Sequence, residues 1–334
     1  MSKIKNSIYG LALGDALGYR TEFLSFQNSL TEYGSQNIYD LRDELLVSDD
    51  TQMSLYLLHG FANAYDSRAP YAGQEKDIIV SIAKQFLIWL YDPENCRAPG
   101  NACIGSMREL DRTIIRGVDW NNAFVGGAIN KNSKGSGTVM RSPWLGLLNA
   151  SGVVPDENLE SLCDLQSSLT HQHPTALHAS YLTALLTSKL FTGDLVPGEL
   201  KSFSEDFCVS QPSDLGWRDL TRTLKNVNDL PAGYKASHFS DCDASNIIGA
   251  SMTAENVLVT SIAYIDYFGD DAVEVLRRSM FNSGDSDTIG ATAGGMIGAY
   301  YDEPVWDGLE HLVESNYVPQ LDWAVSYIEK SQVS

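Results

Sequence analysis

Two short acidic clusters hold the residue types best suited to chemistry in this chain: Ser48-Asp49-Asp50-Thr51 and Gly284-Asp285-Ser286-Asp287-Thr288. Each supplies two carboxylates with flanking hydroxyls, the oxygen-rich ligand set that hard divalent cations such as Mg2+ or Mn2+ prefer. Each is also followed directly by a helical apolar pattern, and Ser, Thr and Asp are the ordinary caps of helix N-termini, where negative charge complements the helix dipole. Singly, then, each cluster reads as a cap. Together they hold more carboxylates than capping needs. Two bare carboxylates about 4 Å apart repel by roughly 4 kcal/mol at an effective dielectric near 20, so four of them brought together require protons or cations. A fold that joins the clusters creates a site for a metal pair.

The elements that must do the joining are helices. Ile4, Ile8, Leu11 and Ala12 open the chain at helical spacing, and Met53, Tyr56, Leu57 and Phe61 form a stripe after the first cluster. Ile78 to Tyr91, Pro174 to Leu190, Ala254 to Phe268 and Asp271 to Phe281 repeat the habit, while alternating strand-like runs are scarce. The expected class is all-α, many antiparallel helices around one core, in a single domain over residues 1–334. Gly290, Ala291, Ala293, Gly294, Gly295, Gly298 and Ala299 follow the second cluster. Glycine in a helix costs about 1 kcal/mol per residue, so its repeated use implies close backbone approach to a partner helix. The natural partner carries Gly10, Ala12, Gly14 and Gly18, and pairing the two would bring the chain's ends around the metals.

Three longer polar stretches are the expected loops: Leu24 to Val47, between Glu22 and the first Asp pair, as a lid; the glycine-rich Gly126 to Gly137; and Asn226 to Asn246. In the second, Gly135 and Gly137 let backbone approach a ligand, and the apolar residues after them are expected to open a helix whose N–H groups face a pyrophosphate. In the third, Tyr234 or Phe239 offers a flat ring on which adenine could stack, with burial in the core as the alternative. Arg141 is read either as a ligand contact or as a structural arginine paired with an acid beneath the site. His173 and His178 read as packed or solvent-facing, and Pro174 suits the first turn of a helix. A zinc site at His171 and His173 is disfavoured because the surrounding ligands are oxygens.

Composition removes several function classes. Among 334 residues, 23 basic against 43 acidic side chains leave a formal charge of -20, which argues against a phosphate-backbone binder and against nucleic acid as partner. A chain with 43% hydrophobic residues can bury a substantial core. No export signal or membrane-spanning stretch is evident, since Ile78 to Tyr91 is too short and contains Lys84 and Gln85. Five cysteines without paired spacing suit reduced thiols, and a cytoplasmic location is the expectation.

Five segments in order resemble the ADP-ribosylglycohydrolase family: Gly10-Leu-Ala-Leu-Gly14-Asp15-Ala-Leu-Gly18 with Glu22-Phe23; Ser48 to Thr51; Gly135-Ser136-Gly137-Thr138-Val139-Met140-Arg141; Thr170-His171-Gln172-His173-Pro174; and Asn282 to Thr288 with the small-residue helix behind it. The resemblance covers roughly residues 4 to 301 and implies an all-α hydrolase that cleaves ADP-ribose from an ADP-ribosylated protein, often at arginine, with ADP-ribose as product and two divalent ions, Mg2+ or Mn2+, as cofactors. It also implies metal ligation by Ser48, Asp49, Asp50, Asp285, Asp287 and Thr288, and catalysis by Glu22, Asp49 and Asp285. ADP-ribose would bind at Gly135, Ser136, Gly137, Val139, Met140 and His171, with Tyr234 added from the third stretch. Which carboxylate serves as base stays open.

The chain departs from the family pattern at three positions: Ser48 for the usual Thr, Ser136 for Asn, and Ser283 where a second Gly is common. All four aspartates and Glu22 remain. Two rivals follow from the same residues: a catalytically silent relative that binds ADP-ribose or serves a structural role, and a metal-dependent phosphohydrolase acting on the pyrophosphate.

Overall fold

The apolar spacing is realised as helices throughout the computed structural model, which describes residues 3–69, 71–115 and 132–331. Before the glycine-rich stretch come α1 (Lys3–Tyr19), α2 (Phe26–Tyr33), α3 (Asp49–Ala64), α4 (Glu75–Leu90) and α5 (Asn101–Ile115). After it come α6 (Pro143–Ala150), α7 (Asp156–Ser168), α8 (Pro174–Thr192), α9 (Leu200–Ser210), α10 (Leu215–Asn226), α11 (Ala244–Ile248), α12 (Ala254–Phe268), α13 (Ala272–Met280), α14 (Ser286–Gly298) and α15 (Val318–Ser331). Among the described residues extended backbone pairs only as isolated bridges, Leu45 with Val313 and Gly135 with Thr253, so the chain is all-α as expected. No helix of the described residues is long and apolar enough to cross a membrane.

The centre of the molecule is the pair α1 and α14. Every residue of α14 is buried, as is every residue of α1 from Asn6 to Gly18. Helices buried on all faces form the middle of a core rather than its surface. Gly10, Gly14 and Gly18 face Gly294, Gly290 and Ser286, so that a Cβ on Gly14 would coincide with the Gly290 carbonyl and a Cβ on Gly290 with the Gly14 carbonyl. The small side chains lock this seam through carbonyls: Ser7 Oγ donates to Gly295 O (2.6 Å) and Ser286 Oγ to Gly18 O (2.8 Å). Just beyond α1, Thr21 Oγ1 donates to Met280 O (2.6 Å), fixing the start of the link that carries Glu22. The expected pairing of the two small-residue helices is therefore present, and it sets the N-terminus of α14 beside the C-terminal end of α1.

The long polar stretches differ from expectation. Leu24 to Val47, expected as a loop and lid, contains α2, capped by Ser25, and a single 3-10 turn at Ile38–Asp40. Its ends are tied down, Phe26 N to Ser283 Oγ (3.3 Å) and Leu45 N to Leu312 O (2.6 Å). Residues 126–131 of the glycine-rich stretch lie outside the described residues. Asn226 to Asn246 folds into two 3-10 turns and the start of α11.

Candidate active site

Asp15 decides what the first acidic cluster is free to do. It projects from α1, wholly buried, and its carboxylate accepts the Ser48 N–H (2.9 and 3.0 Å to its two oxygens), the Thr51 N–H (3.0 Å) and the Thr51 hydroxyl (2.5 Å). Ser48 Oγ accepts from Asp50 N (3.2 Å) as the N-cap. The orphan donors at the start of α3 are thus satisfied by Asp15 and Ser48, not by Asp49 or Asp50. Those two side chains are released from capping and line a cavity. Asp49 Oδ2 accepts from Gly100 N (3.3 Å), and Asp49 N donates to Arg97 O (3.3 Å). Ala98 between these contacts adopts φ of 53°, a left-handed conformation rare for a non-glycine residue and often found at functional sites. Arg97 is braced by Glu94 and Glu314, and donates to Val47 O (3.2 Å).

The second cluster enters from the other side. Asp285 occupies the N-cap position of α14 without capping it, and its Oδ2 accepts from Ser136 Oγ (2.5 Å), which ties the glycine loop to the carboxylate. Carboxylate oxygens of Glu22, Asp285 and Asp287 all lie within 4.8 Å of one another. Asp49, Asp50 and Thr288 border the same cavity of about 220 Å³, together with Gly135, Ser136, Gly137, Met140 and His171. Ser48 stays behind the wall as a cap.

These carboxyls are crowded well beyond what water-free surroundings tolerate. Burial first, then the charges of Asp285 and Asp49, pushes Glu22 up to about 8. Burial first, with Asp15 and Asp285 adding and the Gly100 N–H opposing, pushes Asp49 up to about 8. Asp50 and Asp287 are raised well above the ordinary carboxylate range, again by burial and then by their acidic neighbours. Oxygens Glu22 Oε2 and Asp50 Oδ2 are buried with no hydrogen-bond partner. A buried, unpartnered carboxylate oxygen beside other carboxylates is the environment a divalent cation relieves, so this donor set fits Mg2+ or Mn2+.

The glycine loop borders the cavity but does not open a helix directly, as its pattern suggested it would. Gly135 and Gly137 are followed by one 3-10 turn, Ser136–Thr138, and α6 begins only at Pro143, which has no N–H. Ser136 N donates to Met252 O (3.2 Å), and Val139 N and Met140 N donate to Ser136 O (2.8 and 3.3 Å), so these N–H groups are engaged within the protein. Val139 is buried and does not reach the cavity. What the glycines permit is close approach to His171: a Cβ on Gly135 would sit 2.9 Å from its Nε2, and one on Gly137 2.9 Å from both its Cε1 and Cys103 Sγ. His171 is buried and pulled down to about 3 by desolvation and then by Arg141, so it is a neutral imidazole.

Two expectations are corrected. Tyr234 is a core residue, 2% exposed, with Tyr267 and Phe268 edge-on to its ring and the Arg278 guanidinium over it, leaving no face for adenine. Phe239 is likewise buried, stacked on Phe281. Arg141 pairs with no acid among the described residues; Gln166, Thr170, Met53 and the Phe86 ring surround it. His173 Nδ1 caps α8, and His178 stacks on Trp217 and bonds Asp214. Sequence reasoning missed Asp15 as the organiser of α3, although its place beside the glycine stripe of α1 was a usable signal. It also missed Cys103, Asn101 and Met252 as cavity walls.

Similarity to known proteins agrees with this geometry. The family model described as ADP-ribosylglycohydrolase matches residues 1–317. ADP-ribosylhydrolase ARH1 of Dictyostelium discoideum is 24% identical over 371 aligned residues, covering 94% of this chain and 89% of its own. An uncharacterized protein of Archaeoglobus fulgidus is 25% identical over 313, covering 89% and 87%. Among solved structures, one described as an ADP-ribosylglycohydrolase-related protein complex superposes with a TM-score of 0.67 at 21% identity, covering 99% of this chain and 98% of that one. The chain belongs to the ADP-ribosylglycohydrolase family.

Proposed function

We propose that the protein hydrolyses the glycosidic bond joining ADP-ribose to an arginine side chain of a modified protein, using two divalent ions, Mg2+ or Mn2+, held in the acidic cavity. The observation that carries the reading is the pair of buried, unpartnered carboxylate oxygens, Glu22 Oε2 and Asp50 Oδ2, on a cavity that also includes Asp49, Asp285 and Asp287. Asp49, Asp50, Asp285, Asp287 and Thr288 would hold the ions, with Ser48 capping the helix that carries Asp49 and Asp50. The chemistry such ions supply when bound is positive charge that gathers vicinal ribose hydroxyls and acidifies water.

The chain's own groups divide the remaining work. Ser136 keeps Asp285 aimed into the cavity by its 2.5 Å hydrogen bond. Glu22, with a carboxyl oxygen within 4.8 Å of those of Asp285 and Asp287, delivers a proton to the departing nitrogen. Asp49 or Asp285 takes the proton lost by the attacking water. Gly137 offers backbone to the phosphates where a side chain would collide with His171 and Cys103. No Lys or Arg side chain lines the described walls, and the chain carries a formal charge of -20. This surrounding field favours a cationic, guanidinium-bearing acceptor over an anionic one.

The test is incubation with arginine- and serine-ADP-ribosylated proteins, with and without chelator, followed by identification of the released product. Intact ADP-ribose from the arginine substrate, lost with chelator, is expected. AMP with ribose phosphate would move the cleavage to the pyrophosphate, and binding without turnover would make the protein a silent relative.

A further inference from the structure

Arg141 is a fully buried cation whose hydrogen-bond partners are neutral, with the Asp49 and Asp50 carboxylates acting on it from farther off. Its Nε donates to Gln166 Oε1 (2.5 Å), and its Nη2 to Gln166 O (3.2 Å) and Thr170 Oγ1 (2.8 Å). Its Nη1 faces Met53 Sδ (3.7 Å), and the guanidinium lies 4.9 Å from the Phe86 ring centroid. Burying a guanidinium without a counter-ion is costly unless its donors are satisfied. Its bond to Thr170 leads toward the cavity beside its contact with Cys103, which lines the cavity wall.

Thr170 Oγ1 has one hydrogen to give and two candidate acceptors, Ser167 O at 3.4 Å and His171 Nδ1 at 2.8 Å. Ser167 O already accepts two backbone N–H groups, from Thr170 (3.0 Å) and His171 (2.8 Å). A carbonyl oxygen has two lone pairs, so the hydroxyl hydrogen is left to His171 Nδ1. A neutral imidazole whose Nδ1 accepts must carry its proton on Nε2. That Nε2 has no protein partner among the described residues, and His171 borders the cavity beneath Gly135 and Gly137.

We propose that Arg141 and Thr170 are positioning residues that fix His171 as a neutral Nε2–H donor aimed into the cavity, the state in which it would make the ADP-ribose contact that the family resemblance implies. The ligand half rests on the ADP-ribose reading above; the tautomer half does not. Arg141 orients Thr170, Thr170 orients the imidazole, and the two glycines clear the space in front of the N–H. A donor of this kind stays in the same protonation state across the neutral range, unlike a lysine or an imidazolium at an equivalent place.

Nitrogen-15 NMR of the full chain labelled at histidine reads the tautomer directly. The expected spectrum shows a pyrrole-type, protonated Nε2 and a pyridine-type Nδ1 for His171, and Thr170→Val, which removes the hydroxyl at nearly constant volume, should shift it toward a tautomer mixture. A protonated Nδ1 in the wild type overturns the proposal, as does a spectrum unchanged in a folded Thr170→Val. If that variant fails to fold, the wild-type spectrum still decides. Calorimetric titration with ADP-ribose then tests the ligand half: His171→Gln, whose amide N–H reaches the Nε2 position, should bind within about threefold of wild type, whereas His171→Asn should lose roughly tenfold or more. Equal losses in both overturn the donor role. Absence of ADP-ribose binding in the wild type refutes the ligand half and the functional reading, while the spectrum alone still decides the tautomer.

Discussion

The seam between α1 and α14 and the cavity at its end meet at the N-terminus of α14, yet they obey opposite rules. In the seam, glycines let the backbones touch and serine hydroxyls bond carbonyls across the pair. In the cavity, a few residues along, carboxylates are pressed together and two of their oxygens have no partner. One region minimises free energy, and the other holds charges in place against it. A site that repels itself needs a rigid frame, and the frame here is made of residues too small to be displaced.

Substitutions can break this contrast from either side. The largest effect belongs to the seam: Gly14→Ala places a methyl group onto the Gly290 carbonyl, and the helices cannot part without unpacking the core. A loss of about 3 kcal/mol or more is expected in chemical denaturation. Gly100→Ala at the cavity rim, where a Cβ would meet nothing closer than Cys103 Sγ at 3.8 Å, should stay within about 0.5 kcal/mol of wild type. Equal losses at the two glycines would erase the distinction. Next comes Asp15→Asn at the junction of the regions. An amide replaces one acceptor oxygen with a donor facing the Ser48 and Thr51 donors, so a loss of about 2 kcal/mol is expected in the same denaturation assay.

The cavity side is sharpened by pH. Folded-state values of about 8 for Glu22 and Asp49 lie above the roughly 4 of free carboxylates, so the unfolded chain gives up these protons first. The metal-free protein should lose stability as pH rises from about 4 to about 8, and Mg2+ or Mn2+ should restore most at the upper end. Thermal melts across that range, with and without cation, check the direction; a cation effect independent of pH would show that these carboxyls do not feel one another. The smallest effect belongs to Tyr234→Phe. Its hydroxyl is buried without a partner, so removal should change stability and ADP-ribose binding by no more than about 0.5 kcal/mol in melting and titration experiments.

Legibility in the sequence followed the range of the interaction. The acidic clusters, the glycine spacing of α1 and α14 and the helical stripes are local patterns, and they told both the class of fold and which ends must meet. Asp15 acts across thirty-three residues on Ser48, and its capping of α3 is decided by where α1 lies. The environment of Arg141 was hidden for the same reason: Gln166 and Thr170 belong to a later helix and its end. Tyr234 sits among polar residues in the chain but beneath α12 in space, so composition left adenine stacking and core burial open while packing put it in the core. The loop expectation for Leu24 to Val47 missed the short helix that Ser25 starts there, which polar content concealed.

The most direct test of the central claim, that the two acidic clusters form one cation site, is a titration of the metal-free protein with Mn2+, followed by calorimetry and by electron paramagnetic resonance. Two ions per chain with a spin-coupled signal are predicted, and loss of that coupling in both Asp50→Asn and Asp285→Asn. Two uncoupled ions, or binding that survives either substitution unchanged, would contradict it.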